Sequence, residues 1–126
     1  MKYQRQETIL VVEDNPANRE LACDLLEHAG FRVHVAEDAE AAFSMMDHKP
    51  DLIIMDIGLP GMDGITATRK LLEIPGFDTP IVALTAHAMK GDRERALAAG
   101  CRDYLTKPID TRTFASTISG FLRPAG

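Results

Sequence analysis

Four apolar runs in this chain break off on residues that can do chemistry. ILVV runs into Glu13 and Asp14, LIIM into Asp56, IVAL into Thr85, and DYLT into Lys107 followed by Pro108. Carboxylates gathered in one place repel; a pair ~4 Å apart costs ~4 kcal/mol at an effective dielectric of 20. The ammonium of Lys107 cannot balance three of them, whereas a divalent cation would. Oxygen ligands from a few carboxylates, with water completing the shell, suit magnesium, which commonly joins protein carboxylates to a phosphate. The loop after Asp56 can add a backbone carbonyl, for instance that of Gly58. The same set suits phosphoryl transfer, which demands little beyond in-line positioning and neutralisation of the phosphoryl oxygens. Asp56 is then the nucleophile that becomes an aspartyl phosphate. Thr85 Oγ and the Lys107 ammonium each hold one phosphoryl oxygen, and magnesium holds the third.

Each residue alone has a plainer role. Glu13-Asp14-Asn15 makes a helix cap and turn, Asp56 a turn, Thr85 a β-branched strand end and Lys107 a surface charge. What favours the site is the order acid, acid, hydroxyl, ammonium on four strand ends, and that depends on the elements presenting them. Five apolar runs alternate with five segments of helical period. Strand one is Thr8 to Val12. Asn15 suits an N-cap with Pro16 at the first helical position, and Ala17, Leu21, Leu25 and Ala29 recur until Gly30 ends the helix. The second strand, Phe31 to Val35, alternates apolar and polar residues as a half-exposed edge strand does. A second helix shows Ala39, Ala42, Phe43 and Met46 on one face. Leu52 to Met55 is apolar without alternation, so this strand is central and covered on both faces.

GLPGMDG leads to a third helix facing inward with Ile65, Thr68, Leu71 and Leu72, and PIVALTA supplies a fourth buried strand. The fourth helix ends at Gly100. A short fifth strand lies around DYLT, and the last helix starts at an Asp110 cap, with Phe114, Ile118, Phe121 and Leu122 as its stripe. Alternation of this kind gives an α/β doubly wound sandwich, (βα)5, with a parallel sheet and helices on both faces. Of the common doubly wound orders, 2-1-3-4-5 accommodates five strands and an edge-like second strand. Strands one and three are then neighbours, so Asp14 and Asp56 project from chains ~4.8 Å apart, at the carboxyl ends where such sheets bind ligands.

The 126 residues make one domain, with a core from about 8 to 122 and nothing left over for an output domain. A net charge of −5 argues against direct binding of nucleic acid by phosphate attraction. Lys90, Arg93 and Arg95 alternate with Asp92 and Glu94, a solvated helix face. Cys23 and Cys101 lack metal spacing and read as reduced thiols in a cytoplasmic protein. MKYQRQE is too polar for a secretion signal, and no apolar run approaches the ~20 residues that cross a bilayer, so no membrane association is expected. The initial Met and the exhausted C-terminus point to a stand-alone protein.

VVEDN, DLIIMDIGLPGMDG, PIVALTA and DYLTKPI together resemble the receiver domain of two-component response regulators, the CheY-like superfamily, from about Ile9 to Leu122. AHAMKGDRERALAAGC is most similar to receivers of hybrid histidine kinases and to stand-alone cell-cycle regulators. The resemblance implies that Glu13 and Asp14 are the acidic pair, with Asp14 the direct magnesium ligand and Glu13 acting through water. It makes Asp56 the phosphoacceptor, Thr85 the switch hydroxyl, Tyr104 the switch aromatic and Lys107 the phosphate-binding lysine, with a cis bond before Pro108. The charge of Lys107 then meets an oxygen that exists only after transfer. Gly58 and His87, two residues beyond Asp56 and Thr85, are implied to tune the phosphoryl lifetime.

The implied partners are a histidine kinase or a histidine phosphotransfer protein, with a downstream protein meeting the fourth helix, fifth strand and fifth helix of a monomer or weak dimer. On that surface Met89, Lys90, Arg93 and Arg102 lie near the rim. Two rival classes share parts of the pattern. A flavodoxin-like cofactor binder needs a hydroxyl- and Gly-rich phosphate loop where this chain has acids. A haloacid-dehalogenase-type phosphatase expects a second Asp where Gly58 stands.

Overall fold

The computed structural model describes residues 6–59, 61–85 and 91–122. Five parallel strands, β1 (Thr8–Val12), β2 (Arg32–Ala36), β3 (Leu52–Asp56), β4 (Ile81–Thr85) and β5 (Asp103–Thr106), form one sheet of order β2-β1-β3-β4-β5. The helices are α1 (Pro16–His28), α2 (Ala39–Ser44), α3 (Gly64–Leu72), α4 (Asp92–Ala99) and α5 (Phe114–Leu122). All of β3 and β4 is buried, as the unalternated runs require. Alternate residues feed two cores. Leu10, Val12, Ile53, Met55, Ile81 and Ala83 meet small residues of α2, α3 and α4. On the opposite face Ile9, Val11, Leu52, Ile54, Val82 and Leu84 meet Ala22 and Leu26 of α1 with Phe114 and Ile118 of α5. The doubly wound sandwich is therefore as expected, with β2 and β5 at the edges.

Local signals account for most helix starts. Asn15 caps α1 through Asn18 N–H at 3.0 Å with Pro16 behind it, while Asp38 and Asp63 cap α2 and α3 at 2.8 Å each. Gly100 ends α4 at φ 113°, a left-handed conformation that suits glycine. The expected stripe of α1 needs correction: Ala17 and Ala29 are exposed, and the fully buried pair is Ala22 and Leu26. A four-residue repeat drifts about 40° per step around a helix of 3.6 residues per turn, so its two ends leave the buried face. Helix α2 stops at Ser44, leaving Met46 in a following 3-10 turn, Met46–His48. In α3 Ala67 takes the buried place assigned to Leu72, which is 39% exposed. The regular part of α5 begins at Phe114. Asp110 stands one turn ahead, its carboxylate accepting Arg112 N–H and its carbonyl Phe114 N–H, each at 2.9 Å.

Candidate functional site

The sheet registers bring the chemical residues to one end. Val12 lies opposite Ala36 on β2 and Met55 on β3, Asp56 opposite Leu84, and Thr85 opposite Thr106. Glu13, Asp56, Thr85 and Lys107 therefore stand at the same end of β1, β3, β4 and β5, which follow one another in the sheet. Glu13 is 1% exposed, Thr85 3% and Asp56 4%, an unusual depth for carboxylates. Lys107 Nζ sits between two of them, 2.8 Å from Glu13 Oε1 and 3.1 Å from Asp56 Oδ2. Backbone amides take the remaining oxygens: Gly58 N–H donates to Asp56 Oδ1 at 2.9 Å and Asn15 N–H to Glu13 Oε2 at 3.0 Å. Asp14 is exposed, facing the pocket mouth, and one oxygen each of Glu13, Asp14 and Asp56 fall within 4.8 Å of one another. The Lys107–Pro108 peptide is cis, as the resemblance implied.

Electrostatics follow from this crowding. Burial pushes the Glu13 carboxyl above its usual value; Lys107 and the Asn15 N–H pull it back, and neighbouring Asp56 adds to the rise. For Lys107, burial alone would lower the ammonium, but Glu13 and Asp56 outweigh it and hold it above 10.5. Lys107 is thus engaged by Glu13 and Asp56 in the unphosphorylated pocket. Glu13 Oε1 has the Lys107 ammonium as its partner, in the ion pair at 2.8 Å. Three carboxylates against one ammonium, and an all-oxygen donor set, fit a hard divalent cation on the side of Asp14.

Thr85 is buried at the end of β4, and Tyr104 is half-buried against the α2–α4 side of the core. Tyr104 pairs with Ala83, so it shares a sheet face with Thr85 on the neighbouring strand. Arg93 and Arg102 are exposed, and Arg102 Nη1 donates to the Phe121 carbonyl at 3.1 Å. His87, Met89 and Lys90 lie outside the described residues. Two further residues shape the pocket without having been singled out in the sequence. Arg19 donates to the carbonyls of Glu13 and Asp14. Gly64 lies so close to the backbone at Asp56 that a Cβ there would meet the Asp56 carbonyl oxygen and approach Ile57 Cα to 2.7 Å. Their signals were faint: an arginine one turn into α1, and the glycine closing GLPGMDG.

A five-stranded parallel sheet of this order, with an acidic pocket where its central strands end, defines a CheY-like α/β domain. The family model for the response regulator receiver domain matches residues 9–119, and the chain belongs to that family. It is 39% identical over 120 residues to the polar-differentiation response regulator DivK of Brucella anthropi, covering 94% of this chain and 98% of the relative. The signal receiver domain of a signal transduction histidine kinase from Syntrophus aciditrophicus is 32% identical with a TM-score of 0.82, covering 92% of this chain and 89% of that one. The chemotaxis response regulator CheY4 of Vibrio cholerae is 25% identical with a TM-score of 0.85, covering 92% and 98%.

The protein is therefore a receiver domain of two-component signal transduction, a signalling family that binds magnesium at an acidic pocket and interacts with histidine kinases or phosphotransfer proteins and with downstream partners. Among the described residues no helix is long and apolar enough to cross a membrane.

Proposed function

We propose that Asp56 accepts a phosphoryl group from a histidine kinase or histidine phosphotransfer protein and that this switches a partner-binding surface. The observation that carries the reading is Lys107 Nζ bridging Glu13 and Asp56 beside exposed Asp14, a pocket of unbalanced negative charge at the strand ends. An Asp56 carboxylate oxygen attacks phosphorus; the new O–P bond forms as the bond to the donor's imidazole nitrogen breaks, and the released imidazole takes a proton from solvent. Bound magnesium supplies charge neutralisation for the phosphoryl oxygens. Asp14, Asp56 and the Gly58 carbonyl would hold it, with Glu13 acting through water.

Gly58 N–H and Lys107 hold the Asp56 carboxylate in one orientation before attack. Lys107 then transfers its contact to a phosphoryl oxygen, and the Thr85 hydroxyl donates to another. Movement of Thr85 leaves space on the sheet face it shares with Tyr104, which turns inward. The surface altered is that of α4, β5 and α5, where Arg93 and Arg102 are exposed. On this reading the chain is a single cytoplasmic receiver unit, monomeric or weakly dimeric, whose catalysis is confined to its own phosphorylation and slow dephosphorylation. Gly58 and His87 set the lifetime.

Acetyl phosphate labelling followed by mass spectrometry tests the reading. The label should map to Asp56, require magnesium and disappear in Asp56→Asn; undiminished labelling of that variant, or labelling in excess chelator, would overturn it.

A further inference from the structure

Strand pairing stops at Val12, so the carbonyls of Glu13 and Asp14 leave the sheet without strand partners. A carbonyl in a partly buried turn needs a donor. One nitrogen, Nη1 of half-buried Arg19, donates to both, at 3.1 Å to the Glu13 carbonyl and 3.4 Å to that of Asp14. Those carbonyls belong to the two peptide units flanking the Asp14 Cα. The second unit is held from its other end as well, because Asn15 N–H donates to Glu13 Oε2. With both flanking planes tied, the backbone dihedrals of Asp14 are set, and with them the direction in which its exposed carboxylate leaves the chain.

We infer that Arg19 is a positioning residue for the metal pocket, aiming the Asp14 carboxylate by clamping the two peptide planes beside it. This rests on the reading of Glu13, Asp14 and Asp56 as a magnesium site. Arg19 touches no cation itself. The cationic guanidinium also lies beside an acidic pocket, and that charge by itself would oppose a divalent cation. The two effects therefore have opposite signs.

Magnesium affinity of Arg19→Met, measured by titration in the absence of denaturant, separates them. Loss of an outer partner that orients a ligand lowers metal affinity by about tenfold or more, so the variant should bind magnesium about tenfold more weakly. In chelator, its Asn15 amide should exchange with solvent faster than in the wild type. Tighter binding would mean that Arg19 acts only through charge, and unchanged binding with a lowered urea midpoint would mean that it is merely structural; either overturns the inference. Should Arg19→Met fold poorly, Arg19→Gln is read on the same scale. Wild type that binds no magnesium, or an Asp14→Asn variant that binds as tightly as wild type, would instead overturn the reading of the site.

Discussion

The charge imbalance at the strand ends makes Asp14→Asn a revealing substitution, because it should stabilise the protein without metal and forfeit stabilisation with it. Ligand oxygens of Glu13, Asp14 and Asp56 lie within 4.8 Å of one another, so each carboxylate pair repels by about 1 kcal/mol in water and about 3.5 kcal/mol at an effective dielectric of 20. Asp14 faces two such charges and one compensating ammonium, Lys107, which is already shared between Glu13 and Asp56. Roughly one repulsion is left over, and because Asp14 is exposed the aqueous figure of about 1 kcal/mol applies.

Urea unfolding should show it. With a slope of about 2 kcal/mol per molar urea, the midpoint of Asp14→Asn in chelator should exceed that of wild type by about 0.5 M. High salt, whose Debye length falls to about 3 Å at 1 M, should shrink the gain. Saturating magnesium should raise wild type, by about 2.7 kcal/mol at a hundred times the dissociation constant, and leave the variant where it was, reversing the order. A variant less stable than wild type in chelator, or one that gains equally from magnesium, would refute the account of the pocket.

Lys107→Met should retain labelling at Asp56 while losing the spectral changes at Tyr104 and α5 that follow beryllofluoride; normal changes would remove Lys107 from the relay. The ammonium, held above 10.5, also contributes stability that is complete below that value and is lost as pH rises through the higher folded value. The urea midpoint of wild type should therefore fall more steeply above about pH 10.5 than that of Lys107→Met. Thr85→Ala should take up label, yet its beryllofluoride shifts should stop at the pocket; full propagation to α5 would end the proposed coupling. Gly64→Ala should cost about 2 kcal/mol, because the added methyl must displace the backbone at Asp56 and Ile57. It should also slow labelling, and a variant as stable and as reactive as wild type would show that α3 can shift freely.

The residues of the site were legible because they stand where apolar runs stop, and the runs themselves reveal which strands are central: Leu52 to Met55 and Ile81 to Leu84 lack alternation and are buried throughout. Neighbouring strands then bring Asp56 and Glu13 together without any contact having to be foreseen. What the sequence did not disclose depends on reach and close approach. The engagement of Lys107 depends on how far its side chain folds back from β5 toward β1, across two intervening strands. The clamp of Arg19 depends on carbonyls, which carry no residue identity. Gly64 looks like any turn glycine until α3 is seen to start against the main chain of Asp56. The helix stripes failed at their ends, at Ala17, Ala29 and Leu72, because apolar spacing is informative only while the element stays over the sheet.

The pocket is supported unevenly, and that bears on how a local charge can alter a distant surface. On the side of the three carboxylates the main chain is tied from two helices, through Arg19 of α1 to Glu13 and Asp14 and through Gly64 of α3 against Asp56. Its strands β1 and β3 are buried almost throughout. On the Thr85 side β4 is buried throughout and the edge strand β5 is packed more lightly. No residue of β5 is buried. Elements with few buried apolar contacts open and shift at lower cost than those with many. A phosphoryl group at Asp56, as proposed, would meet tied main chain toward Glu13 and Asp14 and a less buried element at β5. A displacement following the proposed rearrangement of Thr85 would cost least at β5, the strand that pairs with β4 and buries none of its residues, because elements with few buried apolar contacts shift most cheaply.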